Sequence, residues 1–139
     1  MINQILKKVN ETITFDPAMV EQDNIHAMKT DEIFRTRKGV CQHFSNLFTA
    51  IARGLNIPTR IVSGYKLSAH SAGAHTWNEV QVNSTIWLPV EPQMNVYKFN
   101  FREYFPLAIS ALYDDVAASE TYGREMRAFN LTNLSILSP

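Results

Sequence analysis

Three residue types that together perform nucleophilic chemistry occur in order along this chain, at Cys41, His75 and Glu91. A cysteine attacks as its thiolate, and a free cysteine is mostly protonated at neutral pH. A nearby imidazole can take the thiol proton, and a carboxylate can orient that imidazole by accepting its other N–H. We therefore predict acyl transfer through a thioester on Cys41, with His75 as the base and Glu91 as the orienting group.

Four histidines could supply the base, at positions 26, 43, 70 and 75. His43 follows Cys41 by two residues, which is roughly 200° around a helix, so it should point away from the sulfur. His26 and His70 fall in predicted loops, where a surface histidine is the usual case. His75 begins a predicted strand and is the preferred base, and His70 is its main competitor.

A core-facing helix is predicted to begin at Cys41. Its apolar stripe repeats at the spacing of one helical face, in the order Phe44, Leu47, Phe48, Ile51 and Leu55. Gly54 and Pro58 are typical of a helix end. Cys41 would then lie in the first turn, where the positive end of the helix dipole favours a thiolate.

Other patterns predict the elements around this helix. An amphipathic helix is expected over residues 2–13, and Thr30 could cap a short helix over residues 31–36. Residues 66–74 are rich in small residues and predict a mobile connection at the border of the cleft. A further helix is expected over residues 106–118.

Three short strands are expected after Pro58, over residues 60–65, 75–82 and 86–90. Side chains share a face across an antiparallel pair only when the pairing sum has the right parity. Because 75 and 91 sum to an even number, His75 and Glu91 share a face only with an odd loop, such as residues 83–85, or with a bulge. A two-residue turn would instead place Thr76 opposite Glu91.

Three motifs of this chain resemble the transglutaminase-like superfamily. They are Gly39-Val40-Cys41 with the helix end and strand that follow over residues 55–65, then His75-Thr76-Trp77-Asn78-Glu79-Val80, then Trp87-Leu88-Pro89-Val90-Glu91-Pro92. The similar region covers about residues 30–93. The resemblance implies an α+β papain-like fold, with the nucleophile at the N-terminus of a core helix packed on a small antiparallel β-sheet. It also implies Cys41, His75 and Glu91 as a triad.

The chain departs from the family at two points. The family usually has aspartate where this chain has Glu91, although some hydrolase triads use glutamate. Animal transglutaminases place a tryptophan upstream of the cysteine, and this chain has none there. Gln4 and Gln22 are candidate oxyanion donors without supporting spacing, so the backbone N–H of Cys41 is the preferred one.

Composition sets limits on partners. The 139 residues, 45% hydrophobic and 19% charged, fit a single globular domain over 1–139. Thirteen basic residues balance thirteen acidic ones, so we expect neither nucleic acid nor membrane as partner. The resemblance to the family implies a protein or peptide substrate. We find no signal peptide and no apolar run near eighteen residues, so a cytoplasmic location is expected.

No cofactor or metal is predicted. A metal site formed by Cys41, His70 and His75 is a minor alternative, because these residues lack closely spaced ligand pairs. The favoured function is hydrolysis of an amide by a peptidase or amidase, and a protein-glutamine transglutaminase or deamidase is the other form of the same acyl-transfer chemistry. Two alternatives stay open: a papain-like scaffold or protein-binding domain that has lost catalysis, and an acyltransferase similar to arylamine N-acetyltransferases.

Overall fold

The computed structural model describes residues 1–20, 30–97, 99 and 101–110. Within these residues the helices are α1 (Ile2–Thr12), α2 (Thr30–Thr36) and α3 (Cys41–Gly54). A two-stranded parallel sheet joins β1 (Thr14–Phe15) to β2 (Lys38–Gly39). The main sheet is antiparallel and contains β3 (Thr59–Leu67), β4 (Ala72–Gln81), β5 (Trp87–Glu91), β6 (Val96–Tyr97) and β7 (Tyr104–Ser110). Its strand order is β6-β5-β4-β3-β7, and the predicted α+β class is confirmed.

The core lies between α1, α3 and one face of the main sheet. Its buried apolar side chains come from all three elements, among them Ile5, Leu6, Val9, Phe44, Leu47, Phe48, Val80 and Val90. Removing a side chain of the size of Leu47 or Phe48 from water contributes about 1.5–3 kcal/mol. The apolar stripe predicted for α3 is thus the surface that holds the helix on the sheet.

Polar contacts fix where α3 lies along β4. Ser45 Oγ donates to the backbone oxygen of Thr76 at 3.2 Å, and Asn78 Nδ2 donates to Thr49 Oγ1 at 2.8 Å. All four residues are buried. Because apolar packing is not directional, these hydrogen bonds set the register of helix against strand.

The two faces of β4 have different roles. Asn78 and Val80 face the helices, as their contacts with α3 and the helical core show. Successive side chains alternate along a strand, so Trp77 points to the opposite face. There Trp77 packs with Val62 and Tyr104 in a second buried cluster.

Two sequence-based expectations are wrong in part. Residues 66–74 are mostly strand, because β3 continues to Leu67 and β4 begins at Ala72, which leaves a short turn closed by Ser68 and Ser71. The helix expected over residues 106–118 is a strand up to Ser110, and residues 111–118 lie outside the described residues. In both places pairing with β3 overrides the local preference, since strand propensity depends on neighbours.

Gly64 allows β7 to approach β3 closely. The two strands change register between Ser63 and Gly64, and a β-carbon on Gly64 would collide with the backbone carbonyl of Phe105. Gly64 is also the β3 partner of His75. A side chain here would therefore displace β7 and the residues that β7 brings to the sheet.

We predict that Gly64→Ala lowers the free energy of unfolding by about 1–3 kcal/mol, because the added methyl group overpacks a backbone contact. Gly73→Ala is the matched control: Gly73 also lies in a strand of this sheet, and a β-carbon there would meet nothing within 4 Å. Urea denaturation of both variants measures the difference. Equal stability of the two variants would contradict this role of Gly64.

Candidate active site

Cys41 is the first residue of α3 and is half-buried. The segment before it is held by main-chain bonds to the β1 region: Thr14 N–H donates to Arg37 O and Asp16 N–H donates to Gly39 O, each at 2.9 Å. Arg37 adopts a positive φ of 53°, which turns the chain between α2 and β2. These hydrogen bonds therefore fix the position of the segment that leads into Cys41 and α3.

His43 also shapes this helix start. Its Nδ1 accepts the backbone N–H of Val40 at 2.9 Å, so the proton of this neutral ring is on Nε2. This is one half of a capping box, in which the N3 side chain accepts from the N-cap backbone, because the valine side chain at the N-cap has no acceptor for the other half. Gly39 is required beside it, since a β-carbon there would lie 2.6 Å from His43 Cβ. Because Nδ1 of His43 accepts from Val40, that nitrogen is not available as a base.

His75 and Glu91 are joined by a short hydrogen bond. His75 Nε2 lies 2.6 Å from Glu91 Oε2, and both side chains are buried. Between β4 and β5, Val82 N–H donates to Ile86 O, so the loop has three residues, the odd length that lets His75 and Glu91 share a face. Asn78 pairs with Val90, and this register puts Glu91 opposite Trp77. Glu91 therefore reaches His75 diagonally.

His75 contacts Cys41 as well. Burial alone would lower the pKa of His75, but hydrogen bonds with Cys41 and Glu91 and the negative charge of both outweigh it and raise the pKa to about 9. Because Nε2 is held by Glu91, Nδ1 is the ring nitrogen left for the sulfur. The arrangement favours the charged form of the His75 ring.

Tyr104, which is not among the site residues predicted from sequence, completes the surroundings of Glu91. Tyr104 Oη donates to Glu91 Oε2 at 3.0 Å, the same oxygen that contacts His75. Glu91 Oε1 is buried without a hydrogen-bond partner among the described residues. Tyr104 lies at the start of β7, in a segment with no motif, so no local pattern could have pointed to it.

The remaining candidates lie elsewhere. His70 is exposed in the β3–β4 turn, and His26 is outside the described residues. Gln4 is exposed on α1, and Gln22 is also outside the described residues, so the backbone N–H of Cys41 stays the predicted oxyanion donor. The described residues contain no group of three or more side chains suited to a metal. None of their helices is long and apolar enough to cross a membrane.

The raised pKa of His75 predicts a pH-dependent stability. The pKa of His75 in the folded protein, about 9, exceeds the ordinary value of 6.5. The stabilising contribution of the charged ring is therefore fully present below about pH 6.5 and is lost as pH rises through about 9. Urea unfolding of wild type and His75→Gln is measured from about pH 6 to about pH 10. The difference between their free energies of unfolding should become smaller as pH rises. Exposed His70→Gln is the control. A difference independent of pH would contradict the interpretation.

Comparisons with known proteins identify the family to which the chain is similar. The family model of the transglutaminase-like superfamily matches residues 1–92, which include α1 through β5. The protein-glutamine gamma-glutamyltransferase of Pseudomonas aeruginosa is 33% identical over 76 residues, which cover 48% of this chain and 11% of that protein. The peptide-N(4)-(N-acetyl-beta-glucosaminyl)asparagine amidase of Drosophila melanogaster is 29% identical over 92 residues, which cover 61% of this chain and 14% of that protein.

A solved structure shares the fold. The crystal structure of a proposed cysteine protease from Cytophaga hutchinsonii matches 84% of this chain and 37% of its own with a TM-score of 0.67, at 19% identity. The chain corresponds to only 11% and 14% of the two curated relatives, so it matches one part of much longer proteins. Since the family model covers well over half of its residues, the chain belongs to the transglutaminase-like superfamily.

Proposed function

We propose that this chain catalyses cysteine-dependent acyl transfer on amide bonds of a protein or peptide, through a thioester on Cys41. One observation carries the proposal: Cys41 at the N-terminus of α3 contacts buried His75, whose Nε2 lies 2.6 Å from buried Glu91. The names of the two curated relatives refer to a glutamine transfer and to an asparagine amidase. They support an amide as the acyl donor.

The first half of the reaction forms the thioester. The Cys41 thiolate attacks the amide carbonyl, and the resulting oxyanion is stabilised by backbone N–H groups at the start of α3, where the helix dipole is positive. The intermediate collapses by breaking its C–N bond. His75, protonated at neutral pH, gives its proton to the departing nitrogen.

The second half restores the cysteine. Neutral His75 takes a proton from the incoming water or amine as that group attacks the thioester carbonyl. The C–S bond breaks, the sulfur leaves as thiolate, and His75 is again protonated. Water yields a carboxylic acid, and an amine yields a new amide. Glu91 holds the ring and stabilises its positive charge in both halves.

The test measures donor cleavage and acceptor use separately. The chain is incubated with denatured casein, and three products are followed: ammonia from side-chain amides, new amino termini from peptide bonds, and an incorporated fluorescent primary amine. We expect release of ammonia or new amino termini that Cys41→Ala abolishes and that His75→Ala reduces by about 100-fold or more, since general acid–base catalysis typically contributes that much. Release without amine incorporation would assign hydrolysis, and incorporation would assign transfer.

Two controls make the result interpretable. His70→Ala alters an exposed histidine of the β3–β4 turn and should keep wild-type activity. Mass spectrometry of acid-quenched reactions should detect a casein peptide on Cys41. The proposal is contradicted if protein that circular dichroism shows to be folded gives no product and no covalent peptide. That outcome would favour a scaffold domain that has lost catalysis.

A further inference from the structure

The ring of Tyr104 is packed on several sides, independently of the hydrogen bond that its hydroxyl makes. Its ring packs edge-on to Trp77 at 5.2 Å between centroids and lies 4.3 Å from the ring of Phe99. Lys66 Nζ lies 5.4 Å from the same ring. The strand that carries Tyr104 approaches β3 through the space that Gly64 leaves open. The ring is therefore fixed by packing, and the hydroxyl points in one direction.

That direction is toward the oxygen of Glu91 that serves His75. Glu91 Oε2 accepts from Tyr104 at 3.0 Å and lies 2.6 Å from His75 Nε2. Glu91 Oε1 has no partner among the described residues. Hydrogen bonds at Oε2 therefore determine how the carboxylate is rotated. They come from His75 on β4 and Tyr104 on β7.

The length of the glutamate makes this task necessary. Glu91 lies opposite Trp77 and spans a diagonal to His75, and diagonal neighbours are about 7–8 Å apart, compared with about 5 Å for direct partners. Glutamate has one more rotatable bond than aspartate, which helps it to span the diagonal but leaves the carboxylate freer to rotate. A second donor at Oε2 removes that freedom.

We propose that Tyr104 is a positioning residue for the reaction, which orients the carboxylate of Glu91 toward His75. This rests on the proposed function, because orientation of His75 matters only if His75 activates Cys41. Burial and the charge of Glu91 both raise the pKa of Tyr104, so the hydroxyl keeps its proton and stays a donor at neutral pH. Tyr104 itself touches no reacting atom in this scheme.

The experiment is a double-mutant cycle between Tyr104→Phe and Glu91→Gln, read as the alkylation rate of Cys41 by iodoacetamide at about pH 7. Cys41 is the one cysteine of the chain, so the signal belongs to one residue. Tyr104→Phe should slow alkylation about 3- to 10-fold in the wild type and not at all in Glu91→Gln, since residues that act through one another are not additive. Its melting temperature should stay near the wild-type value, because the ring packing is kept.

The control is Tyr65→Phe, which removes another buried tyrosine hydroxyl, on β3, whose pKa is raised by burial alone. It should leave the alkylation rate unchanged. Equal slowing by Tyr104→Phe in both backgrounds, or none in the wild type, would overturn the inference while leaving the proposed function intact. A wild-type rate equal to that of a free thiol would overturn both.

Discussion

The contact between the first turn of α3 and the beginning of β4 is the constraint on which the candidate site depends. Helix positions 41, 45 and 49 are one turn apart, and each has a polar partner on β4. Ser45 and Thr49 bond to Thr76 and Asn78, so they fix the helix at two points along the strand. The third position is Cys41, which meets His75. A shift of one residue between helix and strand would separate sulfur from imidazole.

The carboxylate of Glu91 is supplied by β5, the strand that pairs with β4, and its placement follows from the length of the β4–β5 loop. A three-residue loop puts Glu91 on the face of His75, and the register places Glu91 opposite Trp77, two residues along the chain from the position that faces His75. Glutamate in place of the family's usual aspartate fits this diagonal. Burial then makes the pair costly unless its charges are matched, and the shared oxygen of Glu91 receives two donors.

Local patterns predicted the parts of the site that depend on neighbours in sequence. The apolar period of α3 placed Cys41 at a helix start, and the parity of the hairpin allowed His75 and Glu91 to share a face. Long-range pairing was not predictable in this way. Residues 72–74 and 106–110 are strand because β3 offers a partner on each side, and Tyr104 reaches Glu91 only through that pairing. No motif in sequence marks such a residue.

The central claim is that His75 activates Cys41, and the pH dependence of Cys41 alkylation by iodoacetamide tests it most directly. A free thiol titrates near pH 8.5. We predict fast alkylation that persists well below that pH in the wild type and is lost in His75→Ala, where the rate should follow a free thiol. A wild-type profile centred near pH 8.5 and unchanged by His75→Ala would contradict the account.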